Sequence, residues 1–221
     1  MTDKRWLLAG IAGFVGALLT GIGEGLLQLS PGADYTDPSY GYFALIDTPR
    51  QSLGHFLSVL SAPLYLAGYW HLTRNLAATR TQLANILFVL TSYAFILATV
   101  WIGQRFFLAQ TVKAIETGLA TPELLNIFAA HNEPFVNALR VAIAVFSVIW
   151  IWLVATGQSR YPRWMAIFSP AALLAAIFGF YFIAPDLGSL LLPTAMNTAH
   201  FVVFGLSLLT LMWRKNKTEV L

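Results

Sequence analysis

The stretch HNEPFVNALRVAIAVFSVIWIWLVAT, His131 to Thr156, decides the class of fold. From Val141 onward it carries no charge. As a helix from Pro134 to Thr156 it would span roughly 35 Å, enough to cross a hydrocarbon core about 30 Å thick. Its opening is different. It holds His131, Asn132, Glu133, Asn137 and Arg140. Glu133, Asn137 and Arg140 are spaced four and three apart and share one helix face. A charge placed in lipid is costly and calls for a partner.

The rest of the chain has the same character. Of 221 residues 57% are hydrophobic and 10% charged, against about 25% charged in a soluble domain. The composition predicts an all-α membrane protein in one domain. There is no cysteine, so disulfides and thiolate metal sites are excluded. The basic residues are scattered over helix ends and form no stripe, so nucleic acid is not an expected partner. Membrane lipid is.

Six spans are expected, at about 6–29, 51–72, 82–108, 134–156, 164–183 and 190–213. Lys4 and Arg5 before an apolar run resemble a signal peptide, but no A-x-A-like site closes the run, so it reads as a retained first helix. Span one carries a small-residue stripe, Ala9, Gly13, Ala17, Gly21 and Gly25, suited to close helix packing. Thr20, Glu24 and Gln28 form its second, polar face. Residues 30–50 are turn-rich and aromatic, an aqueous-side loop. In span two, Gln51, His55, Ser58, Ala62, Tyr65 and Tyr69 line one weakly polar face, and Pro63 is expected to kink the helix. His71, beside Trp70 and Arg74, reads as an interfacial histidine. Between spans three and four the pattern from Thr121 and Pro122 through Phe128 predicts a short amphipathic surface helix delivering His131 to span four.

Charge sets the expected orientation. The two termini and the 73–81 and 157–163 loops hold nine basic residues and two acidic ones, whereas the opposite side and its helix ends hold four basic and eight acidic. The positive-inside rule places both termini in the cytoplasm, in a bacterial-type inner membrane.

Counting about 1.5 Å per residue from those boundaries, Glu24, His55, Asn137, Arg140, Asn197 and His200 all fall in the outer third of the core, with Gln104 and Arg105 at the rim. Together with His131 and Glu133 they are the candidate pocket residues. Arg140 is expected to pair with Glu24 in preference to Glu133, which lies two turns higher on its own helix. The plain alternative is a polar clamp with structural work only.

Three functional readings stay open. The first is an outward-facing pocket that binds or acts on a lipid-like or small amphipathic molecule, with carboxylate and histidines for acid–base work and Arg140 for an anionic or carbonyl group. No nucleophile motif such as G-x-S-x-G accompanies it. The second is a metal or single-haem redox site using Glu24, His55, His131 or His200, without H-x-x-x-H or H-E-x-x-H spacing. Six spans and four histidines are similar in number to cytochrome b561-type carriers, but those use a histidine pair toward each face, and His71 stands alone at the inner end. The third is transport, against which the inner half offers no ionisable residue. The cofactor, if any, is not specified by the sequence.

GEGLLQLSPG (23–32), GHFLSVLSAPLYLAGYWHL (54–72) and the HNEP opening of span four resemble bacterial six-span membrane proteins of unknown function. That resemblance covers most of the chain and implies an inner-membrane bundle without implying an activity.

Overall fold

A computed structural model describes residues 3–219, with side chains described from 4 to 212. The charged side chains of Asp3, Arg214, Lys215, Lys217 and Glu219, used in the orientation count, lie outside that range. Among the described residues the protein is helical, without strands. The helices are α1 (Asp3–Gln28), α2 (Thr48–Ser61), α3 (Leu64–Leu76), α4 (Thr81–Glu116), α5 (Pro122–Ala155), α6 (Pro170–Ile183), α7 (Pro185–Gly188) and α8 (Ala195–Glu219). Four segments are long and apolar enough to cross a membrane: Lys4–Gln28, Thr81–Glu116, Pro122–Ala155 and Pro185–Met212.

The expected second span is two helices. α2 stops at Ser61 and α3 starts at Leu64. Pro63 has no N–H to continue the ladder, and Tyr65 and Leu66 bond back to the carbonyls of Ala62 and Pro63 over one tight turn. The expected fifth span is likewise divided, into a 3-10 turn over Arg163–Phe168 and the 14-residue α6. Ser169 caps α6, accepting from the amide of Ala172, and Pro170 occupies its first turn. The expected sixth span opens as a 3-10 turn at Leu192–Thr194 before α8.

The separate amphipathic surface helix is not found. Its residues are the first turns of α5, which runs on through Pro134 without a break. The reason is a single buried stripe. Leu125, Asn132, Val136, Leu139, Ile143, Phe146 and Trp150 follow one another at helical spacing across the proline. One missing N–H at Pro134 is outweighed by that continuous face. α4 is equally long, 36 residues or about 54 Å. The two form a hairpin closed by Gly118, at φ +74°. Leu119 N–H bonds Ala114 O and Gly118 N–H bonds Ile115 O, a Schellman end.

α1 packs on α2, α3 and α8. The closest approaches are glycine on glycine. A Cβ on Gly13 would lie 2.4 Å from the Cα of Gly68, and one on Gly54 would lie 2.5 Å from the carbonyl oxygen of Gly23. Gly21 and Gly25 of the same stripe are less crowded: a Cβ on Gly21 would lie 3.2 Å from Asn197 Cβ of α8, and one on Gly25 would lie 3.6 Å from Thr194 in the turn before it. The main core is an aromatic slab of Tyr65, Tyr69, Phe95, Phe146, Trp150 and Phe204. A second cluster places Tyr42 and Phe43 of the 29–47 loop on Leu108, Val112 and Leu125, covering the α4–α5 end.

Candidate functional site

Glu24 and Gln28 are one turn apart near the end of α1 and are both buried. Gln28 Nε2 donates to Glu24 Oε1 at 2.9 Å and to the carbonyl of Pro193 at 3.1 Å. The other carboxylate oxygen accepts from Asn197 Nδ2 of α8 at 2.5 Å, and Asn197 Oδ1 accepts from Tyr65 of α3 at 2.5 Å. This fixes both amide orientations, because a carboxylate can only accept. Outward from Gln28, its Oε1 accepts from Arg105 Nη2 of α4 at 3.2 Å. Arg105 also donates to the hydroxyl of Tyr42 and pairs with Glu133 of α5 at 3.5 Å. Tyr40 donates to the same Glu133 oxygen at 3.1 Å. One connected chain of polar side chains therefore runs Tyr65–Asn197–Glu24–Gln28–Arg105–Glu133–Tyr40, using α1, α3, α4, α5, α8 and the first loop.

The Arg105 guanidinium sits in an aromatic cage, 5.0 Å from the ring of Tyr40, 5.1 Å from Phe43 and 5.2 Å from Trp101. Such packing favours a weakly hydrated planar cation. Burial pushes the phenol of Tyr42 up to about 12 despite the neighbouring guanidinium, so it meets Arg105 as a neutral hydroxyl. Tyr40, also raised chiefly by burial and next by Glu133, takes a left-handed backbone at φ 54°. A bulky residue there is uncommon; its bond to Glu133 and its place over Arg105 hold it.

The expected pairing of Arg140 with Glu24 does not form. Arg140 is exposed and donates to Asn137 Oδ1 at 2.9 Å, one turn away on its own helix. Arg105 is the cation that reaches Glu24, through Gln28. Of Glu24, His55, Arg140 and His200, expected to converge on one cavity, only Glu24 and His200 lie near one another, and none of the four lines the groove between α1 and α8. Asn197 joins Glu24, and His200 lies one turn toward the C-terminal end of α8 from Asn197, its ring 5.5 Å from that of Tyr65. His200 Nδ1 donates to Met196 O at 2.6 Å, so in the neutral ring Nε2 accepts from Tyr69 at 2.6 Å. Both nitrogens are engaged. His55 packs among Phe56, Phe106 and Phe107, away from Glu24's partners, and its buried Nδ1 has no hydrogen-bond partner. His131 is exposed and bonds Ile127 O. Gln104 accepts from the buried Asn132, beside the chain without joining it. The four weak metal candidates, Glu24, His55, His131 and His200, do not come together, and among the described residues no three His, Asp or Glu groups could share an ion.

His71 is buried between helices. Nδ1 meets the Trp6 carbonyl at 2.8 Å and Nε2 the hydroxyl of Ser207 at 2.9 Å, which Tyr161 also bonds at 2.8 Å. The ring ties α1, α3, α8 and the 157–163 segment.

Beside the polar chain a groove of about 440 Å³ opens between α1 and α8. Ala17, Gly21 and Gly25 form one wall, Phe201 and Thr198 the other, with Asn197 in its lining and Arg50 as its single charged residue. Gly21 and Gly25 put no side chain into this space. Arg50 is anchored by donating to the carbonyls of Gly25 and Leu29 at 3.2 and 2.6 Å. Sequence reasoning missed Arg50 as a site residue, took the first-loop aromatics that include Tyr40 and Tyr42 only as a cover, and placed Tyr65 only on the polar face of span two. Gln28 was legible as the i+4 neighbour of Glu24.

No curated protein and no solved structure matches the chain. Residues 1–216 match the group described as Family of unknown function (DUF6796), and the chain belongs to that family.

Proposed function

We propose that the protein is a multi-pass membrane protein of the bacterial inner-membrane type, with six crossings and both termini cytoplasmic. Its α1–α8 groove binds or acts on a lipid-like or small amphipathic molecule. The observation that carries this reading is the lining of the groove. Apolar walls suited to a hydrocarbon chain meet a polar floor, Asn197, whose amide is fixed by Glu24 and Tyr65. Its volume of about 440 Å³ is within the range of small-molecule sites. Arg50 at one end supplies a cation for a polar head.

Two features support six crossings. α2 and α3 together return from the loop end to the end where Trp6 and Trp70 pack edge to face. The turn after α5 comes back to that same end, where Arg80 of one loop bonds Gln158 of the other.

Gentle purification followed by native mass spectrometry tests the reading. A lipid or hydrophobic metabolite is expected on the wild-type chain and is expected to be lost in Gly21→Leu, which fills the groove. Retention of the same adduct by a folded Gly21→Leu variant sinks it.

A further inference from the structure

Arg140 presents a problem that the polar chain leaves unsolved. It is exposed on α5, six residues past Pro134, or about 9 Å along the helix. If the helix crosses a membrane, this guanidinium faces lipid, where an unmatched charge costs several kcal/mol. Among the described residues the one ion pair is Arg105–Glu133, and no carboxylate meets Arg140. Its polar contact is Asn137, toward the N-terminal end of α5. Side chains on a helix lean that way, so the guanidinium is carried toward the nearer membrane boundary.

Immediately below, toward the C-terminal end of α5, a groove of about 430 Å³ separates α4 from α5. It is lined by Leu90, Tyr93 and Leu97 on one side and by Asn137, Val141 and Val145 on the other. A cation at the boundary above an apolar furrow matches one kind of occupant. We propose that this face binds an anionic phospholipid, its phosphate on Arg140 and Asn137 and an acyl chain in the α4–α5 groove. Arginine suits a phosphate because its fork of donors can bond two oxygens, and here one guanidinium nitrogen is held by Asn137 while others remain for the ligand. A second copy of this chain fits poorly. It would have to bring a free carboxylate to this depth, and Glu24 and Glu133 are both already bonded. The net positive charge of the site also selects against zwitterionic headgroups, whose ammonium would find Glu133 engaged by Arg105 and Tyr40.

The proposal rests on the membrane-crossing reading above but concerns a different face from the α1–α8 groove, and the test separates the two. The protein is placed in nanodiscs of phosphatidylcholine with a minor share of phosphatidylglycerol of the same chain length, and retained lipids are identified by native mass spectrometry. Wild type is expected to retain phosphatidylglycerol over phosphatidylcholine by about fivefold after correction for abundance, the effect of one basic residue near the surface. Arg140→Gln should abolish the preference, Arg140→Lys should keep part of it, and Ala138→Phe, at a further lining position of the furrow, should lower retention by crowding it. Equal retention of the two lipids by wild type overturns the proposal, and so does a preference that survives Arg140→Gln. A preference lost in Gly21→Leu instead belongs to the α1–α8 groove, which then stands while this inference falls. A polypeptide that leaves with Arg140→Gln, or a dimer that dissociates, would assign the face to a protein partner and overturn the lipid.

Discussion

Arg105 and Arg140 carry the same charge on neighbouring helices yet meet opposite surroundings. Arg105 is caged by three aromatic rings and bonded to Gln28, Tyr42 and Glu133, whereas Arg140 faces outward with Asn137. The difference yields a test at single positions. Glu24→Gln leaves one acceptor oxygen facing two amide donors, from Gln28 and Asn197, so one bond is lost at a cost of about 1–3 kcal/mol. Arg105→Met strips Gln28 and Tyr42 of their donor and should cost about 2–4 kcal/mol. Because Gln28 bridges the two sites, the double variant should lose less than the sum, by about 0.5–2 kcal/mol in thermal or denaturant unfolding in detergent. Glu24→Gln with Arg140→Met should be additive. The reverse pattern would return Arg140 to the site. Relative height along the bundle was legible from residue counting, which put Glu24, Asn197 and His200 in the outer third with Arg105 at the rim. Azimuth was not. In lipid the outer face of a helix is as apolar as the inner one, so patterning cannot tell which stripe of α5 turns inward. The conspicuous polar stripe Glu133–Asn137–Arg140 lies beside, and not on, the buried stripe through Val136 and Leu139.

At the scale of elements, glycines decide how near the helices come. Gly13 and Gly68 meet backbone to backbone, so Gly68→Ala forces α1 and α3 apart and is expected to destabilise by about 1–3 kcal/mol. Gly179 of α6 has nothing within 4 Å of a built Cβ. Gly179→Ala should therefore be neutral or stabilising, by up to about 1 kcal/mol from helix propensity. Melting temperatures of the two variants in one detergent check this, and equal losses would mean that the close approach is not what limits packing. The sequence stripe foretold a tight face but not its membership. Gly21 and Gly25 sit in it by spacing and yet open onto the groove. Proline was similarly two-valued. At Pro63 the ladder breaks, because the flanking turn finds its own bonds at Ala62 and Pro63. At Pro134 it does not, because the buried stripe of α5 continues on both sides. Local signals alone read Pro63 as a kink within one span and Pro134 as the start of another, and tertiary burial reverses both readings.

For the whole molecule, the distribution of contacts and of charge make one joint prediction about orientation. One end gathers Trp6, Trp70, His71, Arg160 and Ser207: Trp6 packs on Trp70, Arg160 lies 4.8 Å over the ring of Trp6, and His71 bridges to Ser207. Arg74 and Arg80 are at the same end, bonded to Asn85 and Gln158. The other end holds the 29–47 loop, where side-chain and backbone bonds from Thr36 and Ser39 hold the carboxyls of Asp34 and Asp37 below the usual range. Those two groups stay ionised through the neutral range, so the acidic character of that end persists there. Basic residues resist translocation, so the Trp6 end is expected to face the cytoplasm. A reporter active only outside the cytoplasm should therefore be silent when fused after Met212 and active when inserted near Gly32. A glycine at φ +74° with nothing packed around it makes Gly32 a tolerant insertion point. Replacing Arg74 and Arg80 together with Gln should weaken the bias and give a mixed population, because half of the loop's anchoring charge in 73–81 and 157–163 is then gone. A reporter active both near Gly32 and after Met212 in the unaltered chain would mean an odd number of crossings. The divided α2–α3 or the short α6 would then be re-entrant and not spanning, and the α1–α8 groove would have to be placed in the bilayer afresh.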